Sequence, residues 1–231
     1  VYYYQKMSDA LRRFFRPALT TGSIDKPWFV SRGYLVFIPD IHYREGQAGQ
    51  SVLESVVSGT RFVSERMYVD AERIGIQGHS FGGYETNFLA AHTGNLFTAA
   101  ASAAGATNFI SYLKHYDSRL YPGLYFDDWH LGAGGQYRLG GQSLWKSLNS
   151  YIANSPLFKA HHVTVPLFIM HNKGDFAVPW PQAVEFYIAL RRLGRLVWLI
   201  QDDEGQHGVS GRAALNYTRC LTDFFNSYLL R

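Results

Sequence analysis

Three short stretches carry the residues best suited to acyl-transfer chemistry. The first, residues 78–83 (GHSFGG), follows an apolar run at 74–77 and precedes a stretch that reads as a helix up to Gly94. A serine hydroxyl is a poor nucleophile until a positioned base takes its proton and a third group fixes the tautomer of that base. Gly78 and Gly82, two before and two after Ser80, permit a turn so tight that side chains would collide in it. Such a turn also sets the serine at a helix N-terminus, where backbone N–H groups can meet a developing oxyanion. The expected acid and base come later, Asp175 in residues 171–180 (HNKGDFAVPW) and His207 in residues 202–208 (DDEGQHG).

These three stretches have to be held by regular elements. Apolar runs at 2–4, 34–39, 74–77, 97–102, 165–170 and 196–201 predict six strands, and 34–39 (YLVFIP) is apolar enough to be buried on both faces. Helices are expected at 27–33, 51–67, 81–94, 181–193 and 212–230. In the fourth, Ala183, Phe186, Tyr187 and Leu190 make an apolar stripe closed by Gly194. The run at 97–102 is built of small residues that leave room for close helix packing, whereas 106–160 is less regular and 121–145 is rich in glycine and aromatics. Strands alternating with helices predict an α/β fold, a mostly parallel, doubly wound sheet with helices on both faces. Ser80, Asp175 and His207 each follow a predicted strand, in the order serine, acid, histidine. That order and the Gly-X-Ser-X-Gly turn are those of the α/β-hydrolase fold.

Bulk properties narrow the function classes. A chain of 231 residues, 47% apolar and 17% charged, suits one globular domain and excludes a disordered one. Its net charge of +4 comes from 22 basic and 18 acidic residues spread along the chain. The modest cluster Arg191, Arg192 and Arg195 reads as a solvated helix face and not as a nucleic-acid surface. A single cysteine, Cys220, excludes an internal disulfide framework and is expected in the core. No apolar run approaches the roughly 18 residues needed to span a bilayer. Since the sequence opens on an apolar run already under way, a longer natural chain is expected, and the compartment stays open.

Other residues compete for the same roles. Asp202 and Asp203 precede His207 too closely on one loop to reach round its ring, which leaves Asp175 as the orienting acid. His161-His162 has no further Cys, Asp or Glu at ligand spacing, so no metal site is expected there. His79 and His171 border strand ends and read as supports of the site's backbone.

The chain resembles the catalytic domain of the prolyl oligopeptidase family of serine peptidases, its bacterial members most of all. The resemblance is carried by 2–8 (YYYQKMS), 34–42 (YLVFIPDIH), 78–85 (GHSFGGYE), 154–158 (NSPLF), 171–180, 189–194 (ALRRLG) and the loop of His207. It implies Ser80 as nucleophile, Asp175 as acid and His207 as general base, the same set that the spacing suggests. It further implies a tyrosine hydroxyl, at Tyr4, and the N–H of Phe81 as oxyanion donors, with no cofactor. Here the chain departs from the family, which commonly has glycines after that tyrosine where this sequence has Gln5-Lys6. The resemblance also implies a peptide substrate and an upstream β-propeller in a longer chain, and leaves a homo-oligomer open. Val178 and the aromatics of 121–145 are candidates for an apolar pocket taking the residue before the scissile bond. Two other readings remain: a carboxylesterase with the same triad, and a catalytically inactive hydrolase fold used for binding.

Overall fold

The computed structural model describes residues 1–10, 12–112 and 143–230. The expected aromatic pocket residues of 121–142 lie outside them. Helices α1 (Lys26–Val30) and α2 (Ala48–Ser64) precede strand β1 (Gly75–His79), helix α3 (Phe81–His92) and strand β2 (Ala99–Ala103). Short helices α4 (Phe109–Tyr112) and α5 (Leu148–Ala153) come before strand β3 (Leu167–Met170), helix α6 (Pro181–Arg192), strand β4 (Val197–Ile200) and helix α7 (Gly211–Leu229). The four strands form a parallel sheet in the order β1-β2-β3-β4.

Alternation along the strands divides the core into two layers. Ile76, Ala100, Leu167 and Ile169 face α2, α3 and α6 through Val52, Val56, Leu89, Ala183, Phe186 and Leu190. Ala99, Ala101, Ala103, Phe168 and Met170 face the other way, onto Phe29 of α1 and Tyr217, Leu221 and Phe224 of α7. The sheet is therefore doubly wound, as the α/β alternation predicts. Cys220 is half-buried at the margin of the second layer.

The small residues of β2 let α3 approach to backbone contact. A Cβ on Gly83 would lie 2.4 Å from the carbonyl oxygen of Ala103, and the Ser102 hydroxyl donates to the carbonyl of Gly83 at 3.0 Å. Gly194, at φ 68°, ends α6 as expected of a glycine in the left-handed region.

Two of the six expected strands do not form. Residues 2–4 contribute one parallel bridge, Tyr2 to Gln77, and 34–39 has no ladder. That second stretch is tied to the first by the bond from Tyr2 N–H to Phe37 O, 2.9 Å, with Ile41 N–H to Gln5 O just beyond it. Isolated bonds do not make a strand, and the expected burial on both faces fails too, since Leu35 is 62% exposed. Tyr34 is held instead by an edge-on contact with Phe29 and a hydrogen bond to Asn226.

Candidate active site

The turn after β1 is as tight as its glycines predict. Ser80 sits at φ 61° and ψ −120°, in the left-handed half of backbone space that a side chain rarely adopts. A Cβ on Gly78 would lie 2.1 Å from the carbonyl oxygen of Gly82, and one on Gly82 would lie 2.7 Å from that of Tyr3. The Ser80 N–H is pinned to Ala103 O at 2.8 Å, so the end of β2 holds the strained turn in place. Phe81 is the first residue of α3, the position at which a helix leaves its N–H groups to outside partners.

Asp175 and His207 reach Ser80 from the loops after β3 and β4. His207 Nε2 lies 2.8 Å from Ser80 Oγ, and His207 Nδ1 lies 3.0 and 2.9 Å from the two carboxylate oxygens of Asp175. The three side chains form one hydrogen-bonded line. Asp175 Oδ1 also accepts the N–H groups of Ala177 and Val178, both at 2.9 Å, and His171 Nε2 lies 3.2 Å from Oδ2. Burial would raise the proton affinity of this carboxyl, but the hydrogen bonds and charges of His171 and His207 outweigh burial and hold it well below the usual carboxylate range. An acid that stays ionised is what stabilising an imidazolium requires.

The loop of His207 is positioned from three directions. Asn172 donates through Nδ2 to the carbonyls of Gln206 and Gly208, 2.8 and 3.1 Å, and accepts from Asp202 N–H at 3.0 Å. His79 Nε2 donates to the carbonyl of His207 itself at 2.7 Å, and its own proton affinity is lowered by burial. Val209 N–H donates to Thr21 O at 2.8 Å, which ties the loop to the N-terminal segment. His79 and His171 thus support the site, as expected. Sequence reading missed Asn172 and Thr21, whose roles rest on neighbours far away in the chain. Asp202 caps its own turn by accepting from Glu204 N–H, and Asp203 pairs with Lys173, so neither orients His207.

Tyr4 lies beside the turn. A Cβ on Gly82 would be 3.6 Å from the Tyr4 ring, which is 37% exposed, and Gln5 turns the chain away at φ 53°. The departure from glycine at that position therefore falls where glycine would be at ease. Val178 is buried in one cluster with Tyr84, Phe109 and Tyr151, and Phe81, the residue after Ser80, packs at its margin with Tyr112. His161 and His162 end a turn that leads into the N-terminal end of β3, whereas Asp175 follows its C-terminal end. Among the described residues no group of three His, Cys, Asp or Glu side chains is placed to hold a metal, and no helix is long and apolar enough to cross a membrane.

A family model described as the prolyl oligopeptidase family matches residues 23–231. The chain belongs to that family. It is 31% identical to an uncharacterized peptidase of Bacillus subtilis, YuxL, over 70% of this chain and 23% of the relative. Among solved structures it resembles the Pyrococcus horikoshii acylaminoacyl peptidase, with TM-score 0.66 and 27% identity over 80% of this chain and 29% of that one. A puromycin-hydrolyzing peptidase of Mycobacterium tuberculosis shares the fold, with TM-score 0.68 at 20% identity over 80% of this chain and 26% of that one. Prolyl oligopeptidase family members have the α/β-hydrolase fold, and the sheet described above is its core. The chain spans only 18% to 29% of the length of its curated relatives.

Proposed function

We propose that the chain is the catalytic part of a serine peptidase that hydrolyses peptide bonds of oligopeptides through an acyl-enzyme on Ser80. The observation that carries this reading is His207, whose two ring nitrogens lie within hydrogen-bond reach of Ser80 Oγ on one side and Asp175 on the other. His207 takes the Ser80 proton as Oγ attacks the scissile carbonyl, and Asp175 stabilises the imidazolium. Tyr4 and the Phe81 N–H hold the oxyanion. His207 then passes its proton to the leaving amine, and water releases the acyl group by the same steps in reverse. Val178 and its aromatic neighbours border the residue before the cleaved bond. The upstream propeller expected from the family resemblance belongs to this proposal, as the part of a longer chain that limits substrate size.

The test is labelling of the full-length protein by a fluorophosphonate, with Ser80→Ala as control, beside turnover of Pro-, Ala- and Lys-terminated peptide amides and a short-chain ester. Labelling lost in Ser80→Ala, with amide turnover reduced on the order of a million-fold, is the expected result. Ester turnover alone would make the protein an esterase, which shares this triad. Folded wild-type protein that does not label would make it a binding module.

A further inference from the structure

Asp175 has a second imidazole. His171 is fully buried directly after β3, its N–H fixed to Ile200 O at 3.0 Å, and its Nε2 lies 2.8 Å from Val178 O as well as 3.2 Å from Asp175 Oδ2. Both partners accept, so the ring proton resides on Nε2. Nδ1 is buried with no hydrogen-bond partner. A buried ring that gives its one proton to two acceptors, and leaves its other nitrogen unsatisfied, is an expensive way to fill space.

What the proton joins explains the arrangement. Val178 N–H donates to Asp175 Oδ1 while Val178 O accepts from His171, so carboxylate, ring and residue 178 close a circuit. The side chain of Val178 meanwhile packs in the aromatic cluster of Tyr84, Phe109 and Tyr151, at whose margin stands Phe81, the residue after Ser80. On its Oδ1 side Asp175 has two backbone donors, but on Oδ2 it has only His171 and His207. The charged and titratable groups facing the carboxylate are His171, His207 and, more distantly, His79.

We propose that His171 is a positioning residue that locks the carboxylate of Asp175 and the backbone of Val178 into one unit, so that the acid of the triad and the wall of the substrate pocket are set together. This rests on the triad reading of Ser80, Asp175 and His207. Without His171, Oδ2 faces His207 alone while Oδ1 keeps its backbone donors, the carboxylate can tilt toward His207, and Val178 O loses its donor. Turnover and selectivity at the pocket then fall together, which a space-filling histidine would not cause.

The experiment compares His171→Gln, whose amide nitrogen reaches both acceptors, with His171→Asn, which is too short. In the full-length enzyme, kcat and KM are measured for two peptide amides with a small or a large apolar residue before the cleaved bond. The rate of fluorophosphonate labelling is followed against pH. The Asn variant is expected to lose about 10- to 100-fold in kcat, to narrow the small-versus-large preference several-fold and to move the acid limb of the labelling profile. The Gln variant should retain most of all three. A folded Asn variant with unchanged preference and profile overturns the proposal, as does a Gln variant no better than Asn. Should His171→Asn fail to fold, the folded His171→Gln variant decides: retained kcat, preference and profile are expected, and loss of all three overturns the proposal. Wild-type protein that does not label at all would instead refute the triad reading.

Discussion

The proposed acid and the proposed base, Asp175 and His207, sit on neighbouring loops built in opposite ways. Residues 171–180 hold Asp175 from within: its side chain is fully buried and its donors Ala177, Val178 and His171 all come from the same ten residues. Residues 201–210 hold His207 from without. That side chain is 24% exposed, and its backbone is fixed by Asn172, His79 and Thr21, which belong to three other segments. An acid that must stay ionised needs a fixed set of donors, and a local turn supplies them. A base that must accept and release a proton needs one open side, and so it takes its rigidity from elsewhere.

Three substitutions or conditions test this contrast. Asp175→Asn should cost on the order of 10⁴-fold in kcat, because the amide no longer fixes the tautomer or stabilises the imidazolium, while the self-contained turn keeps the fold. Steady-state kinetics with a thermal melt of the same protein check it, and a variant with near-normal turnover would remove Asp175 from the mechanism. Asn172→Ala should do less to kcat, about 10- to 100-fold, but should cost about 1–3 kcal/mol of stability, since it leaves the carbonyls of Gln206 and Gly208 and the N–H of Asp202 without their partner. Chemical denaturation beside kinetics measures both, and loss of stability with full activity would mean that the base loop holds itself.

The smallest effect concerns pH. His79 is lowered by burial, so its neutral form contributes stability that is present above about pH 6.5 and lost as pH falls through and below that value. Asp175 is lowered by its donors, so its contribution persists further and is lost only below the ordinary carboxylate range. Melting temperatures from pH 8 down to pH 2 should therefore drop in two stages, and His79→Gln should shrink the first, to which the half-buried His92 also contributes. A single drop in both proteins would show that the two supports are not independent.

Much of this was legible in the sequence where the signal is local. Glycine spacing around Ser80, small residues in β2 and apolar runs closed by polar loops all report nearest-neighbour geometry, and they pointed to three side chains that lie within hydrogen-bond reach and to all four strands of the sheet. The failures came where a residue's state depends on a distant partner. An apolar run such as 34–39 looks like a buried strand until the ladder it lacks is known. Asn172 reads as an ordinary loop residue, and nothing within ten positions of it shows that its amide spans to residues 206 and 208. His171 was legible as a neighbour of the site, but its hold on Val178 was not.

The tie between Thr21 and Val209 joins positions 188 residues apart, and between them run all four strands of the sheet. A ribosome delivers Ser80 first, Asp175 next and His207 last, and the base cannot settle until the segment around Thr21 and the amide of Asn172 are both waiting for it. The growing chain would then carry Ser80, the proposed nucleophile, with nothing to take its proton. On the proposed mechanism, timing of synthesis gives the enzyme its own safeguard: it cannot cut peptides until it has finished folding.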